Sequence, residues 1–295
     1  MNQTMTHGRN QTMTIARHGL PRQAGTAWAE RAWAGLPDAL RAEWTKLRTV
    51  PGTAWILTAI CVLTVAVGAA TAAATRCGAG TGCAIDPTKA TLTGIEVGQA
   101  VVAALAVLVI SGEYSTGMIR TTFTAMPRRW TALAAKAVTL TGLVLAAAVV
   151  AVAGSLAAGR LILAGNGITA AYGFAVVSLA HGPTARAALG SVLYLALVGL
   201  LSLGIATIVR DSAAATGAVL GVLYVPPVIA LFLGSEPTWQ RWVERYTPMN
   251  AGLAILNTTG LRDMVISPWA GLGVLAAWAA VALLAAGVLL HLRDA

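Results

Sequence analysis

Few residues of this 295-residue chain could do chemistry, and their spacing limits what that chemistry is. Glu96 and Gln99 stand about one helical turn apart in a hydrocarbon run, beside Gly94 and Gly98. A translocation route through a membrane would be sought at such polar groups, because they are costly in lipid and persist there for a function. The plain alternative for Glu96 is a boundary residue reaching the outer headgroups. Glu113 and Arg120 lie in "SGEYSTGMIRTTFTAMPRRW", residues 111 to 130. Seven positions apart, they share a helix face two turns from each other, where both could meet a partner. Cys77 and Cys83 bracket "GAGTG", which allows either a disulfide across a flexible loop or two free thiols. That pair has no nearby His or further Cys to complete a structural zinc site, and Cys61 reads as a small packing residue.

Catalytic chemistry finds no purchase in this pattern. His7 and His18 are near the amino terminus, His181 stands alone and His291 is near the carboxyl end. No nucleophile, base and orienting acid converge on one motif. A loop that cradles phosphate needs the pattern G-x-x-x-x-G-K-[ST], and the sequence contains no Gly-Lys pair. The chain is therefore expected to have no catalytic residues, no metal and no cofactor of its own.

The elements that position these residues are hydrophobic spans. The chain is 57% hydrophobic and 11% charged, with a mean hydropathy of +0.73, too little polar surface to coat a soluble globule. A hydrocarbon core about 30 Å thick needs about 20 apolar residues per helix. Six segments qualify: Trp55 to Ala74, Leu92 to Gly112, Ala137 to Gly159, Ala187 to Val209, Ser212 to Ser235 and Pro268 to Leu290. Only the second carries a charge, Glu96. Unbroken apolar runs satisfy their backbone in lipid as helices, whereas a β-barrel would alternate apolar and polar residues. The expected fold is an all-α integral membrane protein with six transmembrane helices.

Between the third and fourth spans, Leu161 to Ala185 is also uncharged, but Gly165-Asn166-Gly167 and His181-Gly182-Pro183 leave too short a piece to cross, so an interfacial or re-entrant segment is expected. Residues 1 to 35 hold the echo "NQTMTHGR" and "NQTMTIAR", with no apolar period, and are expected to be a disordered tail, with Met13 a possible initiator. They contain no secretory signal. Residues 36 to 295 form the transmembrane domain. "LPDALRAEWTKLRTVPG" reads as an amphipathic helix leading into the first span: Asp38 caps it, Leu40, Trp44 and Leu47 form its stripe, and Pro51-Gly52 ends it. It is either an interfacial anchor or a connecting helix that touches a partner. In the fifth span, Gly217 and Gly221 form a small-xxx-small pair, and Pro226-Pro227 must bend or interrupt the helix. Trp239, Trp242 and Tyr246 make a stripe suited to the outer interface.

Thirteen basic residues fall on the side of the termini and seven on the other, which puts both termini in the cytoplasm. The net charge of +9 then reflects loops facing anionic headgroups, with no nucleic acid required. Residues 111 to 130 thus lie on the cytoplasmic side. Tyr114, Met118, Ile119, Phe123 and Met126 take one half of a short helix, and Glu113, Thr116, Gly117, Arg120 and Thr124 the other.

This segment resembles the stretch after the second span of ABC-2 type transporter permeases, which often reads E-Y-x-x-G-x-[IL]-R. The likeness is carried by Glu113, Tyr114, Gly117, Ile119 and Arg120, and is supported by "LRAEWTKLRTVP" and by "YTPMNAGLAIL" at 246 to 256. The resemblance implies a coupling helix between spans two and three that docks on a separate ATP-binding subunit, which would hold the ATP and Mg. It implies further a second permease subunit, spans two and five near the route, outer helices capping it, and a multi-pass protein of the bacterial plasma membrane exporting a small amphiphilic or hydrophobic substrate. The amino-terminal repeat and the Cys77–Cys83 loop depart from the family's pattern. The rival expectation is an ATP-independent carrier, or an immunity or scaffold protein; an ion-driven carrier would place ionisable residues near the midplane, where these spans have none.

Overall fold

The computed structural model describes residues 36–75, 86–115, 129–167, 177–232 and 237–293. Among them the chain is helical: α1 (Leu36–Thr49), α2 (Pro51–Ala74), α3 (Pro87–Leu92), α4 (Ile95–Ser115), α5 (Arg129–Gly165), α6 (Gly182–Val209), α7 (Ser212–Phe232), α8 (Pro237–Tyr246), α9 (Pro248–Leu253), a 3-10 turn at Ala254–Leu256, and α10 (Pro268–Arg293). Six stretches are long and apolar enough to cross a membrane, namely α2, α3 with α4, α5, α6, α7 and α10. The molecule is an all-helical multi-pass membrane protein.

The spans alternate in direction. At one end Lys136 near the start of α5 meets Glu43 of α1, and Trp130 stacks on His291 of α10 with ring centroids 6.0 Å apart. At the other end the Asn166 amide, just past α5, donates to the carbonyls of Ala72 at 3.3 Å and Thr75 at 3.1 Å, capping α2. The helix leading into the first span and the last turn of the last span therefore share one end of the bundle.

Helix α6 is the central post, packed against α4, α5, α7 and α10, with 67% of its apolar window buried. A helix apolar on every side belongs in such a place. Three of its hydroxyls are satisfied within the helix: Ser191, Ser202 and Thr207 each donate to the carbonyl four residues back at 2.7 Å. On the flank, α2, α4 and α5 meet through small residues. A methyl group at Gly94 would overlap the Thr64 carbonyl, and one at Gly98 would overlap the Thr64 hydroxyl, so the glycines beside Glu96 set the distance between the first two spans.

Several expectations need correction. The second crossing is not one helix from Leu92: Asp86 caps the short α3 through the Lys89 amide at 3.0 Å, and a turn at Thr93–Gly94 separates it from α4. The third is much longer than the apolar run, with 37 residues spanning about 55 Å. Its extension absorbs residues 160 to 165, and Gly167, at φ 81°, turns the chain out of it where an L side chain would be strained. The pair Pro51-Gly52 does not end α1; extended Val50 does, and Pro51 opens α2, where its missing N–H costs nothing. Asp38 lies inside the first turn of α1 rather than before it. The buried face of α1 is Ala39 and Glu43, whereas Trp44 of the expected stripe is 49% exposed. Of the two outcomes expected at Pro226 and Pro227, a bend or an interruption, the interruption does not occur, since helix α7 continues through both. Among the described residues, a methyl placed at Gly217 or Gly221 would meet nothing within 4 Å, so this pair makes no close helix contact there.

Candidate functional site

The polar residues of the spans gather where α4, α6 and α7 meet near the end opposite α1. Gln99 of α4 and Tyr194 of α6 are fully buried, and the Tyr194 hydroxyl donates to the Gln99 side-chain oxygen. The Tyr224 hydroxyl of α7 donates to the backbone carbonyl of Glu96 at 2.6 Å. The Gln99 amide nitrogen is buried without a partner of hydrogen-bonding geometry, although Tyr224 is its near neighbour. A tyrosine in hydrocarbon must place its hydroxyl on an acceptor, and each of these does so by tying its own span to α4.

One turn outward, the Glu96 side chain lines an open cavity of about 320 Å³ together with Lys89, Glu244, Asn250, Asn257 and Asp263. The loop before α10 forms its wall, and Asp86 holds that loop in place. Its carboxylate accepts from the Thr258 amide at 2.5 Å, the Thr258 hydroxyl at 2.6 Å and the Thr259 amide at 3.2 Å, while also capping α3. Three carboxylates against one ammonium give the cavity an acidic lining, able to accept hydrogen bonds from cationic or amide groups. Thus Glu96 and Gln99, one turn apart in sequence, occupy different surroundings: Glu96 faces the cavity and Gln99 lies sealed beneath it.

The outer segments pack as much as they cover. Trp239, Trp242 and Tyr246 of α8 form an exposed ladder with centroids 6.0 and 5.8 Å apart. By contrast α9 and the following 3-10 turn sink Ala251, Ile255 and Leu256 into the bundle. Cys61 is half-buried and its thiol points to the Ala147 carbonyl at 3.5 Å, in keeping with a packing role.

Of the coupling segment, Glu113 and Tyr114 fall in the last turn of α4, and Gly117, Ile119 and Arg120 lie outside the described residues. The tail to residue 35 and the Cys77–Cys83 loop lie outside them as well. Sequence reasoning missed four residues that the fold uses. Tyr194 and Tyr224 each interrupt a hydrocarbon span, which was the available signal. Lys136 and Glu43, 93 positions apart, form an ion pair at 2.8 Å with 4% side-chain exposure on both partners; no periodicity links them.

The fold and this cluster define a class, a six-span helical membrane protein with a polar junction near one face. No family model matches the chain, and no curated protein is similar enough to count as its relative.

Proposed function

We propose that the chain is the membrane subunit of an ATP-driven exporter of the ABC-2 permease type, working with a second permease subunit and a separate ATP-binding subunit. The observation that carries this reading is the continuity of α4. Its last turn holds Glu113 and Tyr114, the first residues of the E-Y-x-x-G-x-I-R segment, and its first turns hold Glu96 and Gln99. A helix of 21 residues is a stiff rod about 31 Å long, so a partner pushing on one end displaces the polar junction at the other. Glu113, Tyr114, Gly117, Ile119 and Arg120 dock the partner, and α1 is a surface helix of the cytoplasmic end. A small amphiphilic or hydrophobic substrate passes the weakly polar walls near Glu96 and Gln99. The end bearing α1 faces the cytoplasm, consistent with its excess of basic residues. An ion-driven carrier is disfavoured, because Glu96 stands in the first turn of α4 and Glu43 and Lys136 pair at the end of the bundle that α1 occupies.

The test is Arg120→Glu, with Arg9→Glu in the tail as control. Reversing a charge in a partly buried contact costs about 1 to 3 kcal/mol or more. Arg120→Glu should insert normally yet lose co-purification with its ATP-binding subunit, or lose substrate-stimulated ATP hydrolysis in reconstituted vesicles. If it equals Arg9→Glu in expression, complex recovery and transport, the coupling assignment fails.

A further inference from the structure

We propose that the cavity bordered by Glu96 is a binding site for a small organic ammonium ion with an apolar body. The cavity measures about 320 Å³, within the range of about 300 to 1,000 Å³ usual for ligand sites. Its lining comes from two continuous stretches of chain, 89 to 96 and 244 to 266. Three separate elements each bring one carboxylate to it: Glu96 from α4, Glu244 from α8 and Asp263 from the loop before α10. Lys89 is the one cation of the lining, so negative charge is in excess there. Leu253, Leu256, Val265 and Ile266 supply an apolar wall for the rest of a ligand.

The carboxylates are available to a ligand. Asp86, which holds the loop wall in place, is spent on structure, since its two oxygens accept from Lys89, Thr258 and Thr259. Among the described residues, no ion pair or side-chain hydrogen bond occupies the carboxylates of Glu96, Glu244 or Asp263. The polar face of α4 continues inward from Glu96 to Gln99, which is fully buried with its amide nitrogen lacking a partner of hydrogen-bonding geometry. An unused buried donor is costly, and a ligand acceptor reaching past Glu96 would meet it. The spacing of the acids selects the kind of cation. Among the described residues no three acidic, histidine or cysteine side chains are grouped closely enough to hold a metal ion. An ammonium group needs only one carboxylate for a charge-assisted hydrogen bond, while the other acids add to the attraction from further off.

The experiment is a titration of phenoxyethylamine, which is an ammonium ion at neutral pH, against the full chain in phosphatidylcholine nanodiscs. It is followed by saturation-transfer NMR with empty nanodiscs subtracted. Binding should saturate, and phenoxyethanol, neutral and of the same size, should compete about fivefold less well. Glu96→Gln should weaken binding by about two- to fivefold, the usual worth of a partly exposed ion pair, and Lys89→Gln should strengthen it by a similar factor. Damage to the fold would not tighten binding, so the Lys89 variant reads charge. Met264→Trp, which fills the cavity without changing charge, should abolish binding, with thermal unfolding as the check on folding. Should it fail to fold, Val265→Trp takes its place. Arg48→Gln at the opposite end should change nothing. Equal competition by phenoxyethanol overturns the ammonium assignment, and undiminished binding by the folded tryptophan variant overturns the cavity as the site. Phosphatidylethanolamine added to the nanodisc separates two sources of the ammonium group: unchanged binding assigns a free amine, and lost binding a lipid headgroup. Naming the ligand a substrate rests on the transport reading, whereas binding is measured without the ATP-binding subunit. Saturable binding with no stimulation of ATP hydrolysis in the assembled complex supports the site and counts against that reading.

Discussion

Glu43 holds the Lys136 ammonium in a place closed to water, with the partly exposed Lys46 ammonium beside it. Removing one partner of a buried pair strands the other, which commonly costs about 3 to 5 kcal/mol, while replacing both by hydrocarbon is often neutral. Lys136→Met should therefore lower the thermal unfolding midpoint clearly, with a loss near the lower figure because Lys46 remains at 3.0 Å. The double variant Glu43→Leu, Lys136→Met should recover most of it. The junction of α4 and α6 obeys the same logic. Tyr194→Phe removes the hydroxyl that donates to the buried Gln99 side-chain oxygen and should cost about 1 to 3 kcal/mol, whereas Gln99→Leu with Tyr194→Phe should unfold near the wild-type temperature. If that stable double variant also loses transport in vesicles, the polar pair serves function rather than folding.

Each helix buries a face that its small residues choose. At Gly94 the obstacle to a side chain is backbone, the Thr64 carbonyl, which cannot rotate away, so Gly94→Ala should push α2 from α4 and cost more than about 1 kcal/mol. At Gly217 no described residue would be within 4 Å of a methyl, and Gly217→Ala should be neutral or stabilising by roughly 0.5 to 1 kcal/mol through helix propensity. Thermal unfolding of both variants in one detergent checks the contrast; equal losses would mean that the outer face of α7 is covered in the intact assembly. The continuity of α7 through Pro226 and Pro227 belongs to this scale as well. Neighbouring helices and local adjustments can re-satisfy the carbonyls that proline frees in a membrane helix.

For the whole molecule, alternation of six spans places α1 and the end of α10 together and the Asp86–Thr258 clasp at the far end. In a background lacking the three native cysteines, Thr259→Cys should react with an impermeant thiol reagent on intact cells. Arg48→Cys should react only after permeabilisation. The reverse pattern would invert the protein in the membrane and remove the cytoplasmic coupling role. The clasp can be tried separately: Asp86→Ala leaves the Thr258 and Thr259 amides unpaired and uncaps α3, and should loosen the loop before α10, read as faster hydrogen exchange at 257 to 263.

Sequence alone settled the class and the number of crossings, because a run of twenty apolar residues has few ways to satisfy its backbone in lipid, and that constraint is local. It also marked the α8 aromatics as one stripe, since that follows from helical period. Helix ends were read less well. The true end of α1 at Val50 and the extension of α5 to Gly165 depend on which neighbour caps or covers the last turn, as Asn166 does for α2. What only the tertiary structure decided is the pairing of distant polar groups: Lys136 with Glu43, Tyr194 with Gln99, and Asp86 with Thr258. Each member is an unremarkable polar residue until packing removes water from it, and the partner it then requires is chosen by which helices touch, a relation that no spacing along the chain encodes.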